Sequence, residues 1–257
     1  RTPFARSPAA PPASAPARAR FEREAKAAAR LSSPHVVEVH DYGVDAETPY
    51  IVMELLEGED LASRLESAGR LSLPEAASIV EQIAKALSIA HDSGVIHRDL
   101  KPGNVFLARK GDEEIVKVLD FGVAKEMQSL PSVDGTTSGT LVGSPMYMSP
   151  EQARGDAIDF RTDLWSIGVV VYEALVGKPP FTGDHLGALL MKINKANVTP
   201  PTAIAGDLPA AIDGFMRRAL ARNAGDRFAS AKALADELTV IARPESIDAG
   251  RGISGAT

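Results

Sequence analysis

The β-type runs of apolar residues are confined to the first half of the chain, and this distribution restricts the fold more than any other feature. The first 120 residues contain short β-type runs among helical patterns, whereas the pattern after residue 150 is helical throughout. The β-type runs lie at 36–42, 50–54, 105–107 and 115–119. The helical patterns lie at 21–31, 60–67, 74–92, 162–176, 184–195, 208–221 and 229–241. This order predicts an α+β fold with a mostly helical second half.

Composition and charge exclude several classes of function. The chain has no cysteine, so disulfides, cysteine-ligated metals and thiol nucleophiles are impossible. Its net charge is −6, with 28 basic and 34 acidic side chains, which argues against nucleic acid as a partner. The best apolar run, residues 167–176, is interrupted by Glu173 and is too short to span a bilayer. We therefore expect no membrane segment in this chain and a cytoplasmic location.

A polar segment after the helical pattern of 74–92 carries the residues best suited to catalysis. Residues 97–104 read HRDLKPGN, in which Pro102 and Gly103 prevent a helix. The sequence Asp-Phe-Gly begins at Asp120, sixteen residues beyond Asn104 and directly after a β-type run. One carboxylate of this set can accept a proton from a hydroxyl group. The other carboxylate, with the amide oxygen, can hold Mg²⁺.

Three motifs in this order resemble those of the protein kinase family. HRDLKPGN resembles its catalytic loop, Asp-Phe-Gly the start of its activation segment, and Ser-Pro-Glu at 149–151 the end of that segment. The resemblance extends from about Phe21 to about Ile241. It implies a bilobal, kinase-like fold and a prokaryotic (Hanks-type) serine/threonine protein kinase. Such an enzyme transfers the γ-phosphate of ATP, bound with Mg²⁺, to Ser or Thr hydroxyls of a protein substrate.

The resemblance also implies chemical roles for four residues of the two central motifs. Asp99 corresponds to the catalytic base that orients the acceptor hydroxyl. Lys101 corresponds to the residue that contacts the transferred phosphate, and together with Pro102 it favours Ser or Thr acceptors over Tyr. Asn104 and Asp120 correspond to the two magnesium ligands.

Five further residues correspond to the family's ATP site. The backbone carbonyl of Glu54 and the backbone amide of Leu56 are expected to pair with adenine, directly after the gatekeeper position Met53. Phe106 is expected to lie beneath the adenine base. Asp60 corresponds to an acidic residue near the ribose or near a basic substrate residue, although an acidic turn exposed to solvent would explain it equally well.

Other matching positions have structural roles in the family. Asp163 corresponds to the buried aspartate that holds the catalytic loop. Glu151 and Arg227 correspond to an ion pair that anchors the end of the activation segment. Glu24 corresponds to the glutamate of helix C, whose partner in the family is a lysine on a preceding strand.

The N-terminal part of the chain departs from the family pattern. Residues 1–20 contain seven Ala, five Pro and four Arg and are expected to form a disordered arm. This stretch is too short for the three strands that carry the glycine-rich loop and the lysine. We therefore expect a remnant of the small lobe, with helix C and the following strands, over 21–56. The large lobe is expected over 57–241, and a flexible tail over 242–257.

Two functions are compatible with this sequence. The first is an enzyme whose missing strands are encoded upstream, and the second is a pseudokinase-like binding or scaffold module without catalysis. Asp99, Asn104 and Asp120 are all present, which favours the enzyme. As given, the chain is expected to bind Mg-ATP weakly, because the glycine-rich loop and its lysine are missing.

The segment between the second and third motifs is expected to be a phosphorylation switch. It is rich in Ser, Thr and Gly and has no clear period. Arg98 lies beside the expected base, and its guanidinium group would pair with a phosphate on this segment. The candidate acceptors are Thr136, Thr137, Ser138 and Thr140.

Overall fold

The computed structural model describes residues 4–8, 22, 25–45, 48–111, 113–121 and 145–243. The strands are β1 Phe4–Pro8, β2 Val39–Asp45, β3 Thr48–Glu54, β4 Gly58–Asp60, β5 Val105–Lys110 and β6 Glu113–Val118. The α-helices are α1 Leu61–Ala68, α2 Leu73–Asp92, α3 Pro150–Arg154, α4 Arg161–Val176, α5 Leu186–Lys195, α6 Ala211–Ala219 and α7 Ala231–Ala242. Residues 25–28 are also helical. This order confirms the α+β prediction with a mostly helical second half.

The strands form two antiparallel sheets of three strands each, with the orders β1-β3-β2 and β4-β5-β6. A parallel bridge between Val36 and Val118 joins the segment before β2 to the end of β6. The Val118 amide donates to the His35 carbonyl oxygen over 2.9 Å, and the Val37 amide donates to the Val118 carbonyl oxygen over 3.1 Å. The end of β6 therefore connects the second sheet to the segment that leads into the first sheet.

Strand β1 shows that the prediction of a disordered arm over residues 1–20 is wrong for Phe4–Pro8. The backbone of this strand pairs with β3, from Phe4 opposite Glu54 to Pro8 opposite Tyr50. Without β1, one edge of β3 would present unpaired backbone groups. The strand reads FARSP, so it supplies no lysine. The other residues of the predicted arm, and the predicted tail after residue 243, lie outside the described residues.

Helix α2 supports the segment of residues 97–104, which carries the residues predicted to be catalytic and is called the catalytic segment. Its first turn is capped by Ser72, whose hydroxyl oxygen accepts from the Glu75 amide, and Pro74 occupies a favoured first-turn position. Its apolar stripe, which includes Ile83 and Leu87, is buried against α4 and α7. The helix ends at Asp92, and the catalytic segment follows directly.

Helix α4 occupies the centre of the helical half. Most of its side chains are buried, including the polar Asp163 and the large Trp165. The Trp165 ring stacks on Phe181 with 5.6 Å between ring centroids. A helix enclosed on all sides has little freedom to shift, so it is a rigid base for the groups bonded to it.

In the part of the chain that the structure describes, no helix combines the length and the apolar composition needed to cross a membrane.

Candidate active site

The structure brings Asp99, Lys101 and Asn104 together on the segment after α2. The Lys101 Nζ atom lies 2.9 Å from Asp99 Oδ2. A single helical turn over Pro102–Asn104 lets the Asn104 side-chain amide donate to the Asp99 carbonyl oxygen over 2.8 Å. Because this bond uses the amide nitrogen of Asn104, the amide oxygen is the atom left to bind a cation.

The segment that carries Asp99 is held by one buried carboxylate on α4. Asp163 is 0% exposed and accepts from the backbone amides of His97 and Arg98, each over 2.9 Å. His91 Nε2 lies 2.8 Å from Asp163 Oδ2. Arg98 has a φ of 67°, an unfavourable backbone conformation for a residue with a side chain, so its position depends on these bonds.

His91 is a contributor that sequence reasoning missed. It lies in the last turn of α2, a position that the sequence alone does not distinguish from other polar helix residues. Its closeness in sequence to residues 97–104 is the signal that could have identified His91, because a histidine there can bond to a neighbouring carboxylate.

His97 connects the catalytic segment to the second motif. Its Nε2 donates to the Leu119 carbonyl oxygen over 2.8 Å, and its Nδ1 accepts from the Asp99 amide over 3.3 Å. Its ring packs against the buried Phe121 ring with 4.8 Å between centroids. The two motifs are therefore in direct contact.

Asp120 follows β6 and has a φ of 52°, so backbone strain is concentrated at the second motif as well. Its side chain is exposed, yet the surrounding protein removes part of its hydration, and this desolvation raises the pKa of the carboxyl. The nearby His97 and Lys101 oppose the shift, whereas Asp99 adds to it. A divalent cation beside Asp120 would offset the lost hydration.

The oxygen atoms of Asn104 and Asp120 fit a magnesium ion. Both are the hard oxygen ligands that Mg²⁺ prefers, and Mg²⁺ bound to phosphates uses few protein ligands. Within the described ranges, no group of three or more His, Asp or Glu residues forms a self-sufficient metal site.

Two of the residues predicted to meet the nucleotide, Asp60 and Phe106, lie on one face of the second sheet. Asp60 on β4 stands opposite Phe106 on β5, and Phe106 stands opposite Lys117 on β6. Directly opposed residues of antiparallel strands point to the same face, so these three side chains form a row. Each is partly buried. Lys117 is the member of this row that sequence reasoning missed.

Strand β4 begins with a glycine that its pairing with β5 requires. Gly58 has a φ of 141°, and a β-carbon there would lie 2.1 Å from the Leu107 carbonyl oxygen. The close approach of β4 to β5 therefore depends on the missing side chain. Glu54 is the last residue of β3 in the first sheet, and the partly buried Leu56 lies between β3 and β4 along the chain.

Asp60 has a structural role in addition to the predicted one. Its carboxylate caps α1 by accepting from the Ser63 amide over 2.9 Å and from the Ser63 hydroxyl over 3.2 Å. Capping explains an aspartate at this position without any ligand. Contact with the nucleotide therefore stays a prediction for Asp60.

Met53 lines an apolar cavity beside the second motif. The lining includes Ala25 and Ala28 of the helical segment, Ile51 of β3 and Phe121. Glu24, predicted to be the glutamate of helix C, lies outside the described residues.

Comparison with known proteins identifies the family. The family described as the protein kinase domain matches residues 11–239. The chain belongs to the protein kinase family. The predicted resemblance is thereby confirmed.

Curated relatives of this kinase domain are bacterial serine/threonine protein kinases. The chain is 40% identical over 222 residues to a probable kinase PknB of Bifidobacterium longum, with 83% of the chain and 32% of that protein covered. It is 40% identical over 227 residues to PknA of Mycobacterium tuberculosis, with 86% and 51% covered. It is 42% identical over 230 residues to pkn3 of Myxococcus xanthus, with 87% and 42% covered. The chain thus spans about a third to a half of these relatives.

A solved structure supports the same fold. The kinase domain of Mycobacterium tuberculosis PknI has a TM-score of 0.74 to this chain and is 30% identical to it. The alignment covers 93% of this chain and 85% of that structure. The bilobal, kinase-like prediction is therefore confirmed, with a small lobe in which the structure describes one three-stranded sheet.

The third kinase motif is tied to the catalytic segment. Ser149 and Gln152 cap α3 reciprocally, and the Gln152 side-chain amide donates to the Arg98 carbonyl oxygen over 2.9 Å. The end of the activation segment thus bonds to the residue beside Asp99.

The predicted Glu151–Arg227 pair is present and buried. Two parallel hydrogen bonds of 2.7 and 2.8 Å join the guanidinium group to the carboxylate. Arg227 also donates to the carbonyl oxygens of Arg161, Ala221 and Arg222. Burial acts to raise the pKa of the Glu151 carboxyl, but the bonds from Arg227 outweigh it and lower that pKa.

The phosphorylation candidates cannot be located, because Thr136, Thr137, Ser138 and Thr140 lie outside the described residues.

Proposed function

We propose that this protein transfers the γ-phosphate of Mg-ATP to Ser or Thr hydroxyls of protein substrates in the cytoplasm, where ATP is available. The observation that carries the proposal is the grouping of Asp99, Lys101 and Asn104 on one segment fixed by the buried Asp163. Family membership gives the reaction class. The named relatives act as serine/threonine protein kinases, which supports the same acceptor class here.

In this proposal Asp99 binds the acceptor hydroxyl. Its carboxylate orients the oxygen for attack and accepts the proton as the oxygen bonds to the γ-phosphorus of ATP, while the bond from that phosphorus to the β-phosphate oxygen breaks and ADP leaves. Lys101, 2.9 Å away, compensates the charge of that carboxylate and is close enough to contact the transferred phosphate. The bound Mg-ATP supplies the phosphoryl group, with its negative charge partly neutralised by the metal.

In this proposal, residues from both sheets hold the nucleotide. The backbone of Glu54 and Leu56 pairs with adenine, Phe106 lies beneath the base, and Asp60 is near the ribose. Asn104 and Asp120 would hold Mg²⁺ through their side-chain oxygens.

The direct test is Asp99→Asn in the protein expressed from its full reading frame. The wild type should transfer labelled phosphate from Mg-ATP to Ser or Thr of a general substrate such as casein. The amide cannot accept the proton, so we expect the rate to fall by about 100-fold or more. ATP affinity should change little, because Asp99 does not bind the metal in this scheme.

The matched control is Asp92→Asn, an exposed aspartate at the end of α2 that should keep the wild-type rate. An Asp99→Asn variant with more than a tenth of the wild-type rate would contradict the proposal. A wild type that binds Mg-ATP but transfers no phosphate to any protein would instead support a scaffold role.

A further inference from the structure

We propose that the side chains of Glu54 and Lys117 form a positioning pair. The pair fixes the spacing between the adenine edge, which consists of Glu54, Leu56 and Phe106, and the proposed metal ligand Asp120. This inference rests on the proposed function, since it concerns how the same site binds its nucleotide. It assigns a task to the Glu54 side chain, whereas the family resemblance concerns only its backbone. It also gives a role to Lys117.

The two side chains are in direct contact in a partly buried position. The Lys117 Nζ atom lies 2.5 Å from Glu54 Oε1, and the side chains are 16% and 23% exposed. The same Glu54 oxygen accepts from the Glu38 amide over 2.8 Å, and Lys117 Nζ lies 3.5 Å from the Val36 carbonyl oxygen. The pair therefore bonds the end of β3 to β6 and to the segment before β2.

The position of Lys117 makes the contact relevant to the nucleotide. Lys117 is directly opposite Phe106, so both side chains leave the second sheet on the same face. Three residues further along the chain is Asp120. Strand β6 thus carries the partner of Glu54, and the proposed metal ligand follows two residues after the strand ends.

The pair thus fixes the distance between the adenine edge and Asp120 before any ligand binds. Adenine and the metal-bound phosphates are joined covalently within one nucleotide, so their two sites must match its length. A site that already has the right spacing avoids the ordering cost of binding. Nucleotide and Mg²⁺ should then strengthen each other's binding, by the same factor in each direction.

A purely structural role would give a different result. It predicts that loss of this largely buried pair lowers the unfolding midpoint and weakens nucleotide binding equally with and without Mg²⁺. If the pair sets the spacing, its loss should instead reduce the benefit that Mg²⁺ gives to nucleotide binding. Magnesium dependence is thus the measurement that separates the two roles.

The experiment is a calorimetric titration with the non-hydrolysable analogue AMP-PNP, in EDTA and in excess Mg²⁺, using the protein from its full reading frame. In Lys117→Met we expect the Mg²⁺-dependent gain in affinity to fall by about fivefold to tenfold. Affinity in EDTA should change less than twofold. Lys117→Arg keeps the charge and should retain most of the gain.

A double-mutant cycle tests whether the two residues act together. Glu54→Gln alone should also reduce the gain, and adding it to Lys117→Met should cause little further loss. Lys85→Met is the matched control, because it removes an exposed ion pair with Glu81 on α2 and should leave the gain unchanged.

Three results would overturn the inference. The first is an unchanged Mg²⁺ gain in folded Lys117→Met and Glu54→Gln. The second is equal weakening with and without Mg²⁺, which would reduce the pair to local support of adenine. The third is a wild type that binds no AMP-PNP, which would overturn the proposed function as well.

Discussion

The catalytic segment and the adenine edge are held by contacts of different strength. Asp163, with no exposed surface, fixes the backbone of the catalytic segment through charge-assisted bonds. The adenine edge depends on the partly exposed Glu54–Lys117 pair and on the cap by Asp60. Buried charged hydrogen bonds are costly to break, whereas exposed ones rearrange easily. The acceptor side of the reaction is therefore held by stronger contacts than the nucleotide side.

The largest effect is expected from Asp163→Asn, which tests whether this carboxylate holds the catalytic segment. The amide keeps the size of the side chain but loses the charge, and its NH₂ group then faces a backbone donor of His97 or Arg98. We expect a loss of about 3 kcal/mol in the free energy of unfolding, with phosphate transfer largely abolished. Urea unfolding and a transfer assay measure the two effects. A variant with an unchanged unfolding midpoint would show that the catalytic segment does not depend on this carboxylate.

A second test compares two arginine–carboxylate pairs that differ in burial. Glu151→Gln breaks the buried pair with Arg227 and should lower the free energy of unfolding by about 2–4 kcal/mol. Asp207→Asn breaks the exposed pair with Arg70, whose two bonds are both 2.9 Å, and should have little effect. Equal effects in thermal and urea unfolding would remove the distinction between buried and exposed pairs.

The same pair predicts a pH dependence of stability. The pKa of Glu151 is lower in the folded protein than in the unfolded chain, so its contribution is fully present above the usual pKa of a glutamate. The contribution falls as the pH drops below that value and is lost at the lowered folded-state pKa. The stability difference between the wild type and Glu151→Gln should therefore shrink between pH 7 and acid pH. A constant difference in urea unfolding at each pH would contradict this assignment.

The smallest expected effect concerns Asp60, which combines capping with a predicted nucleotide contact. Asp60→Ala should cost about 1 kcal/mol of stability, and Asp60→Ser should cost little because serine also caps helices. If the carboxylate contacts the nucleotide, both variants should weaken AMP-PNP binding by a few-fold. Weaker binding in the alanine variant alone would restrict Asp60 to the capping role.

Sequence patterns predicted local features well and distant contacts poorly. Asp99, Lys101 and Asn104 could be grouped in advance because they lie within six residues of one short segment. The sequence prediction that Pro102 and Gly103 prevent a helix there is wrong for one turn, Pro102–Asn104. The contact between His91 and Asp163 joins residues 72 positions apart, and no period in the sequence encodes it. The same limit applies to Glu54 and Lys117.

Strand β1 was missed for a related reason. The prolines and alanines of residues 1–20 are typical of disorder, and nothing in Phe4–Pro8 itself indicates a strand. What makes it a strand is the open edge of β3, which supplies backbone partners. Pairing with an edge is a property of the folded sheet, so the composition of the arm could not reveal it.

The bridge between Val36 and Val118 joins the segment before β2 to the end of β6, close to the proposed metal ligand. Two backbone hydrogen bonds meet at Val118, and the neighbouring Lys117 pairs with Glu54 of the first sheet. Backbone hydrogen bonds cannot stretch far without breaking, so residues beside this point have little freedom to move relative to it. We therefore expect Asp120, two residues after Val118, to keep its place when more distant parts of either sheet move.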